Sequence, residues 1–518
     1  MARNANELIS TNPATGVEVG RVQISSTDDV AAAVLRSRKA FGIWRKTPFA
    51  ERKRIVMRAR EVILAETDEI ARLISDEMGK PVAEAISNEI VPVLDLMQFF
   101  AKNSERLLRT ETRKIGLLSL MGRYSRIAYK PLGVIGIISP WNFPLSIPLG
   151  EVVMALMAGN SVILKPSELT PLVGEKIAQI FGVARIPKDV LQVVNGNGGT
   201  GAALVKANVD KIMFTGSVET GKRIAAEAAN TLTPVVLELG GKDPMIVCKD
   251  ANLEKASSAA VWGAFTNAGQ ACASIERLYV DETIAEKFTA LVVEKTKNLK
   301  IGYGSDPETD VSTLSSVEQL NTVEQHISEF KKEGAKILTG GTRSDLGEAF
   351  YEPTVIAKVK NSMKPMQRET FGPTLPIVEF KTVDDAISLA NDSEFGLTAS
   401  IWTANTTRGK EFAEKLEFGT VMVNEVVYTH GVAQTPWGGV KNSGYGRTHG
   451  VEGLHELVSV RHIHVNRFTF LPDVWWFGYS QNAIDAFKTM SKTFASGSLI
   501  RTFGFLPKLF DRLKELNK

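Results

Sequence analysis

Two cysteines occur in 518 residues, and their neighbours suit them to different tasks. Cys272 lies in Asn267-Ala-Gly-Gln-Ala-Cys272-Ala-Ser, a run of small and polar residues that leaves a thiol approachable. Cys248, in Met245-Ile-Val-Cys248, sits in an apolar run, where a cysteine is usually a small core residue. A working thiol is expected at Cys272, with a structural role the alternative, and an inert core residue at Cys248, with a working thiol the alternative. Glu238 is the one charge in Val235-Val-Leu-Glu-Leu239, which runs into Gly240-Gly-Lys242. Desolvation there would raise its pKa and suit it to general-base work near neutrality; the alternative is a glutamate satisfied at a strand edge. Gly196-x-Gly198-x-x-Gly201 formally matches the dinucleotide fingerprint, but a lone match equally marks a tight turn. Phe214-Thr-Gly-Ser217 with Gly221 puts small residues between a strand and a helix whose free N–H groups can face a pyrophosphate.

The elements that must carry these residues follow from periodicity. Thr27 to Lys46 has apolar residues at helical spacing, and Pro48 opens a second helical stretch running to Gly79. Val134 to Ile138 reads as a buried strand feeding a loop. From there to Glu238, strands near Ser161 to Leu164, Val190 to Val194, Lys211 to Phe214 and Pro234 to Leu239 alternate with helices. Such alternation implies a parallel, doubly wound nucleotide-binding sheet. A second α/β series runs from Asp250 to about Asn424, with no Gly/Ser linker between the two, so a cleft between packed lobes is expected.

Composition bounds the rest. With 44% hydrophobic and 23% charged residues the chain is globular, and a net charge of +3 excludes a dedicated nucleic-acid role. Two cysteines 24 residues apart make no disulfide framework, and six scattered histidines make no metal site. Met1 to Gly16 has no apolar core of signal-peptide type, and Leu132 to Leu164 is interrupted by Pro140, Pro144 and Pro148, so no span is expected and the compartment is read as cytoplasmic.

Seven motifs then occur in order: Pro140-Trp-Asn142-Phe-Pro144, Lys165-Pro-Ser-Glu168, Phe214-Thr-Gly-Ser217, Leu237-Glu238-Leu-Gly-Gly-Lys242, Gly269-Gln-Ala-Cys272, Glu369-Thr-Phe371-Gly-Pro373 and Pro436-Trp-Gly-Gly439. Together they resemble the NAD(P)-dependent aldehyde dehydrogenase superfamily of the hydrolytic, cysteine-nucleophile type, over roughly residues 10 to 462. The resemblance implies an α/β fold with a variant Rossmann cofactor domain (1–108 and 129–239), an α/β catalytic domain (240–430) and a small oligomerisation β-flap (109–128 and 457–465), hence a homodimer or homotetramer. It implies Cys272 as nucleophile, Asn142 and the Cys272 backbone N–H as oxyanion donors, and Glu238 as the base that activates water to hydrolyse the thioester. For the cofactor it implies Trp141, Lys165 and Glu168 around the adenosine ribose, Gly216, Ser217 and Gly221 at the pyrophosphate, and Glu369 and Phe371 at the nicotinamide ribose. Glu168 favours NAD over NADP, since a carboxylate there repels a 2′-phosphate. A coenzyme A-acylating enzyme, an acid reductase and a non-enzymatic NAD-binding relative are the alternatives: the first is disfavoured because Glu238 is present to activate water, the second because thioester hydrolysis is effectively irreversible, and the third because Cys272, Glu238 and Asn142 are all in place.

Residues 466–518 extend past the resemblance. Phe468, Phe470, Trp475, Trp476, Phe477 and Tyr479 form an aromatic group, and Leu506, Leu509, Phe510, Leu513 and Leu516 make an apolar stripe opposed by Lys508, Asp511, Arg512, Lys514 and Glu515. The extension counts eight basic residues, Arg501 and Lys518 among them, against four acidic, a net of +4. Peripheral membrane contact and packing on the protein itself are both open. Either suits an apolar or long-chain aldehyde, such as the carotenoid-derived aldehydes oxidised by some bacterial relatives.

Overall fold

Apolar strands and amphipathic helices alternating over residues 134–239 build a six-stranded sheet. Its order is Gly444–Tyr445, Val235–Glu238, Lys211–Thr215, Val134–Ile138, Ser161–Lys165, Leu191–Val193, all parallel except the two-residue edge at Gly444. Four of these strands are buried along nearly their whole length, as expected of a parallel sheet covered on both faces. The chain winds outward from Val134–Ile138 to Ser161–Lys165 and Leu191–Val193, then returns to the other side for Lys211–Thr215. The order therefore reverses between Val134–Ile138 and Lys211–Thr215, and the loops leaving those two strands, 139–145 and 216–217, open a crevice at their carboxyl ends.

The computed structural model describes residues 6–496 and 499–516. The first five residues of the polar N-terminus and Lys518 lie outside the described residues, as does the side chain of Arg501. The chain divides into two compact units, Met1–Leu107 with Pro131–Val458, and Leu108–Lys130 with Ser459–Lys518. Within the first, a seven-stranded sheet carries Asp243–Val247 and Ile275–Asp281 side by side, parallel, with helix Leu253–Phe265 between them in sequence. Its core gathers Met245, Leu278, Phe288, Val323, Phe330 and Trp402.

Two readings need correction. The helical stretch from Pro48 to Gly79 is two helices, Phe49–Ala65 and Thr67–Met78, parted at Glu66 (φ −108°). There the Thr67 hydroxyl donates to the Ile63 and Leu64 carbonyls, the side-chain competition that unsettles helix interiors. A hairpin, Glu7–Thr11 with Glu18–Gln23, went unread because it is short and largely exposed.

The second unit holds a three-stranded sheet, Val458–Asn466, Arg123–Pro131 and Glu111–Arg113. It also holds two helices, Gln481–Ser496 and Leu499–Leu516, the second beginning eight residues before Pro507 and carrying that proline inside. Leu509 and Val474 pack with Met121, Met490 and Leu513. Arg512, expected on the polar face, is fully buried: it donates to the carbonyls of Val474, Trp476 and Gly478 and pairs with Glu515. The irregular segment 473–480 exposes carbonyls inward, and a guanidinium satisfies three at once. The aromatic group stays outside, with Phe470 77% and Phe477 84% exposed.

Candidate active site

Cys272 is presented by an unusual turn. After helix Leu253–Phe265, Asn267 and Ala268 both hold φ near 53° and Gly269 holds 72°, three successive left-handed residues. Side chains cost such conformations about 1 kcal/mol or more apiece, so the surroundings must hold them. Glu84 accepts from the Asn267 amide and the Thr266 hydroxyl, and Asn267 Nδ2 donates to the carbonyls of Asn142 and Gln270. Gly269 cannot be replaced, because a Cβ there would lie 2.2 Å from the Gly372 carbonyl oxygen. The half-buried thiol emerges three residues later.

Asn142 follows the strand Val134–Ile138 and is 3% exposed. Its Nδ2 donates to Gln270 O at 3.1 Å, which engages one of its two protons. Its carbonyl accepts from Lys80 Nζ, which is ion-paired with Glu89 and stacked 4.2 Å over Phe143. Glu238 ends its strand 5% exposed, accepts from Trp437 Nε1 at 3.2 Å, and is hydrogen-bonded to the Cys272 thiol. Burial raises its carboxyl to about 7. The Cys272 thiol is pushed well above its ordinary value by burial and then by Glu238, Asp243 and Glu369. The resting pair is thus a thiol beside an acid poised near neutrality. Cys248, one residue past the strand Asp243–Val247, is buried in the core, its thiol pushed up to about 12 by burial.

A cavity of about 270 Å³ occupies the crevice between the sheets, and Trp141, Asn142, Glu238 and Cys272 line it. Gly216, Ser217, Glu369 and Phe371 line it too. Ser217 caps helix Val218–Ala229, accepting from the Thr220 amide. Glu369 is held by the Gly241 amide at 2.9 Å, and burial raises its carboxyl to about 8. Gly240 is kept bare by that carboxylate, 2.5 Å from where its Cβ would stand. Phe371, at φ 54°, meets Trp141 edge to face, 5.5 Å apart, and its amide donates to Glu276, itself paired with Lys242. Lys165 and Glu168, 3.1 Å apart, sit at the end of Ser161–Lys165, and Gly221 packs on Leu239. A bare backbone at a helix N-terminus, beside a cavity lined by Glu369 and with Glu168 just past the end of a neighbouring strand, fits a dinucleotide. The Gly196 motif ends the edge strand Leu191–Val193, where Asn197 caps helix Gly198–Lys206, away from this cavity. Among the described residues no group of three or more His, Cys, Asp or Glu is placed to hold a metal.

Cys272 also lines a second, narrow cavity of about 90 Å³, walled by Phe143, Ile147, Trp262, Val427, Tyr428 and Trp437. Phe143 and Trp437 belong to motifs quoted above, without this role; Ile147, Trp262, Val427 and Tyr428 went unread in the sequence, since single apolar residues carry no local pattern. No Lys, Arg, Asp or Glu lines this tunnel. Arg277 is fully buried and donates to the carbonyls of Lys242, Leu389 and Ala390, a structural task.

Comparison with known proteins agrees with this geometry. A model of the "Aldehyde dehydrogenase family" matches residues 1–463. The chain is 38% identical over 481 residues to a 4,4'-diapolycopene aldehyde oxidase of Methylomonas sp, covering 93% of this chain and 90% of that one. It is also 38% identical over 454 residues to a putative succinate-semialdehyde dehydrogenase [NADP(+)] 2 of Mycobacterium ulcerans, covering 87% and 86%. Among solved structures, a Mycobacterium tuberculosis aldehyde dehydrogenase complexed with NAD+ superposes with a TM-score of 0.85 at 34% identity, covering 92% of this chain and 96% of that one. A Sinorhizobium meliloti NAD-dependent aldehyde dehydrogenase gives 0.87 at 35%, covering 92% and 94%. The chain belongs to the aldehyde dehydrogenase family, with the α/β fold of that family and an extension beyond residue 463. The activity this carries is NAD(P)-dependent oxidation of an aldehyde.

Proposed function

We propose that the chain oxidises an apolar, long-chain aldehyde to its carboxylic acid through a covalent Cys272 adduct. One observation carries the reading: the Cys272 thiol lies where an uncharged aromatic tunnel meets the polar cavity holding Glu238 and Asn142. The thiol proton passes to Glu238 as sulfur bonds the aldehyde carbon. The free Asn142 proton donates to the oxygen as it becomes an oxyanion. The residues around Ser217, Glu369 and Phe371 would hold NAD, with Glu168 and Lys165 toward its adenosine ribose, and the bound cofactor would supply the hydride acceptor. After Glu238 has released the thiol proton, it takes a proton from water as the water oxygen attacks the thioester carbon; the C–S bond breaks, the sulfur regains a proton, and the acid leaves.

The uncharged tunnel wall speaks against a carboxylated semialdehyde, which needs a cation there. It is consistent with the kind of aldehyde in the name of the Methylomonas relative, an apolar polyene derivative. The acidic Glu168 favours NAD. The strand Val458–Asn466 leaves a sheet edge with Val460 61% exposed, suited to pairing with a second copy in a dimer or tetramer. The exposed aromatics of 468–479 suit contact with an anionic bilayer from the cytoplasm. Among the described residues no helix is long and apolar enough to cross a membrane.

The test is a panel of aldehydes graded by length and charge, run on the native enzyme and on Cys272→Ala. Efficiency is expected to rise with apolar chain length, to fall for succinate semialdehyde, and to vanish in Cys272→Ala while NAD affinity holds within a few-fold. Activity retained in Cys272→Ala would refute the nucleophile, and a preference for the semialdehyde would refute the substrate class.

A further inference from the structure

The loop that carries Asn142 is held from behind by a buried ion pair that the chemistry above leaves unused. Lys80 Nζ and Glu89 Oε1 stand 2.7 Å apart, and neither side chain reaches solvent. Lys80 also donates to the Asn142 carbonyl at 2.8 Å and lies 4.2 Å over the Phe143 ring, so one ammonium meets two consecutive residues of the loop. Glu89 Oε2 accepts the Leu145 amide at 2.8 Å and the Ser146 amide at 3.2 Å. Ser146 opens the helix Ser146–Ala158, whose unpaired N-terminal amides favour a carboxylate. The pair thus grips the loop 142–146 at both ends, the cation at its first carbonyl and the anion at its last amides.

Both residues belong to a segment with an uncommon backbone. Ala85–Ile90 is a π-helical turn, and the Val91 amide reaches back five residues to the Ile86 carbonyl. Such turns are rare and concentrate at functional sites. On an α-helix, Glu84 and Glu89 would point about 140° apart; the wider turn brings them round toward one face. Glu84 holds the Asn267 amide and the Thr266 hydroxyl, Asn88 Nδ2 donates to Thr266 Oγ1 at 3.2 Å, and Glu89 holds the Asn142 loop. The Asn142 carbonyl receives Lys80 Nζ and Asn267 Nδ2 together, at 2.8 and 3.0 Å. The turn that presents the thiol and the loop that presents Asn142 are therefore fixed on one segment, and on each other at one oxygen. For stability alone a buried ion pair offers no advantage over apolar side chains of similar volume. What apolar side chains could not supply is the hold on the Asn142 carbonyl and on the Leu145 and Ser146 amides.

We propose that Lys80 and Glu89 are positioning residues for the oxyanion donor: they fix the Asn142 side chain where its free proton meets the aldehyde oxygen above Cys272. The proposal rests on the reading of Asn142 as that donor. Neither residue lines the tunnel or the cofactor cavity, so both act through the backbone of 142–146. A donor stabilises an oxyanion only when its geometry is set before the charge develops. A displacement of about 1 Å forfeits much of that effect.

Lys80→Met combined with Glu89→Gln removes both charges at nearly constant volume and leaves an oxygen for the Leu145 and Ser146 amides. With NAD and aldehyde, the rate of its first-turnover NADH burst and its kcat are expected to fall about tenfold or more, while KM for the aldehyde and NAD affinity stay within about twofold. Alkylation of Cys272 by iodoacetamide should keep its wild-type rate, since that reaction develops no oxyanion at Asn142. Adding Asn142→Ala should make the charge-free variant no slower than Asn142→Ala alone. Glu89→Gln by itself, the milder change, should show a smaller loss of the same kind. Wild-type burst rates in both variants overturn the proposal. So does a loss that multiplies with that of Asn142→Ala, or one matched by a fall in alkylation, which would place the effect on the thiol turn. Asn142→Ala run alone separates the two readings. If it turns over normally, the donor assignment fails and the positioning with it; if it loses about a hundredfold while the charge-free variant loses nothing, the positioning alone fails.

Discussion

At the scale of single residues, the site is governed by burial acting on acids. Glu238 at about 7 is raised from 4.5, so the folded state binds its proton more tightly than the unfolded chain. Stability therefore falls as pH rises from about 4.5 to about 7, and above 7 the cost is at most about 3 kcal/mol at 1.36 per unit. Glu238→Gln is expected to raise the melting temperature at pH 8 and leave it unchanged at pH 4. Turnover of the native enzyme should fall as pH drops below about 7, where the base becomes protonated. In the variant, steady-state turnover should fall on the order of a thousandfold, leaving one equivalent of NADH per site whose release quickens at high pH as the thiol ionises by itself. Loss of the burst at every pH would mean that capture depends wholly on Glu238; no stability gain at pH 8 would mean the carboxylate is solvated. Cys272 and Glu238 were legible because each breaks its local pattern, a thiol among small residues and one charge in an apolar strand. Ile147, Trp262 and Tyr428 break none: single apolar residues in separate elements gain meaning only when the fold gathers them around the thiol.

At the scale of elements, the turn 266–269 decides where the thiol points, and its strain is held from a distant part of the chain. Glu84 lies 183 residues before Asn267 and accepts its amide at 2.8 Å. The sequence shows Glu84 as one of many helical glutamates, so this support could not be read from it, whereas the strand Val134–Ile138 and the Ser217 turn could, because strand, small residues and helix follow one another locally. Glu84→Ala strands the Asn267 amide and the Thr266 hydroxyl, each costing about 1–3 kcal/mol if left unpaired. The turn is then free to relax toward right-handed φ. Turnover is expected to fall on the order of a hundredfold, as for reacting groups displaced by about 1 Å, with NAD affinity unchanged. The checks are kcat, NAD titration by fluorescence quenching, and the alkylation rate of Cys272. Unchanged kcat and alkylation would show that the turn holds without Glu84.

At the scale of the whole molecule, residues 468–479 ask why a protein leaves six aromatic side chains outside. Phe470, Trp476 and Phe477 are 77%, 54% and 84% exposed, while the segment's inward carbonyls are bound by Arg512 and its start is tied by Arg123 to Asp473 and, 4.7 Å away, to the Trp475 ring. Periodicity alone misplaced Arg512 on the polar face, since a cation that caps carbonyls looks in sequence like any surface arginine. Its burial also means that cutting the chain after Val465 would strip the core around Val474 and Leu509, so truncation confounds contact with stability. Serine at 470, 476 and 477 changes only exposed side chains. Each aromatic entering a bilayer interface contributes about 1.5–3 kcal/mol, so the triple variant is expected to lose at least a hundredfold in partitioning onto phosphatidylserine vesicles at low salt. Its melting temperature and its turnover of a short soluble aldehyde should match wild type. With the apolar aldehyde supplied in those vesicles, turnover should fall in step with binding. Unchanged vesicle binding would end the membrane reading, and a change of native mass in the variant would assign the aromatics to a contact between copies of the chain.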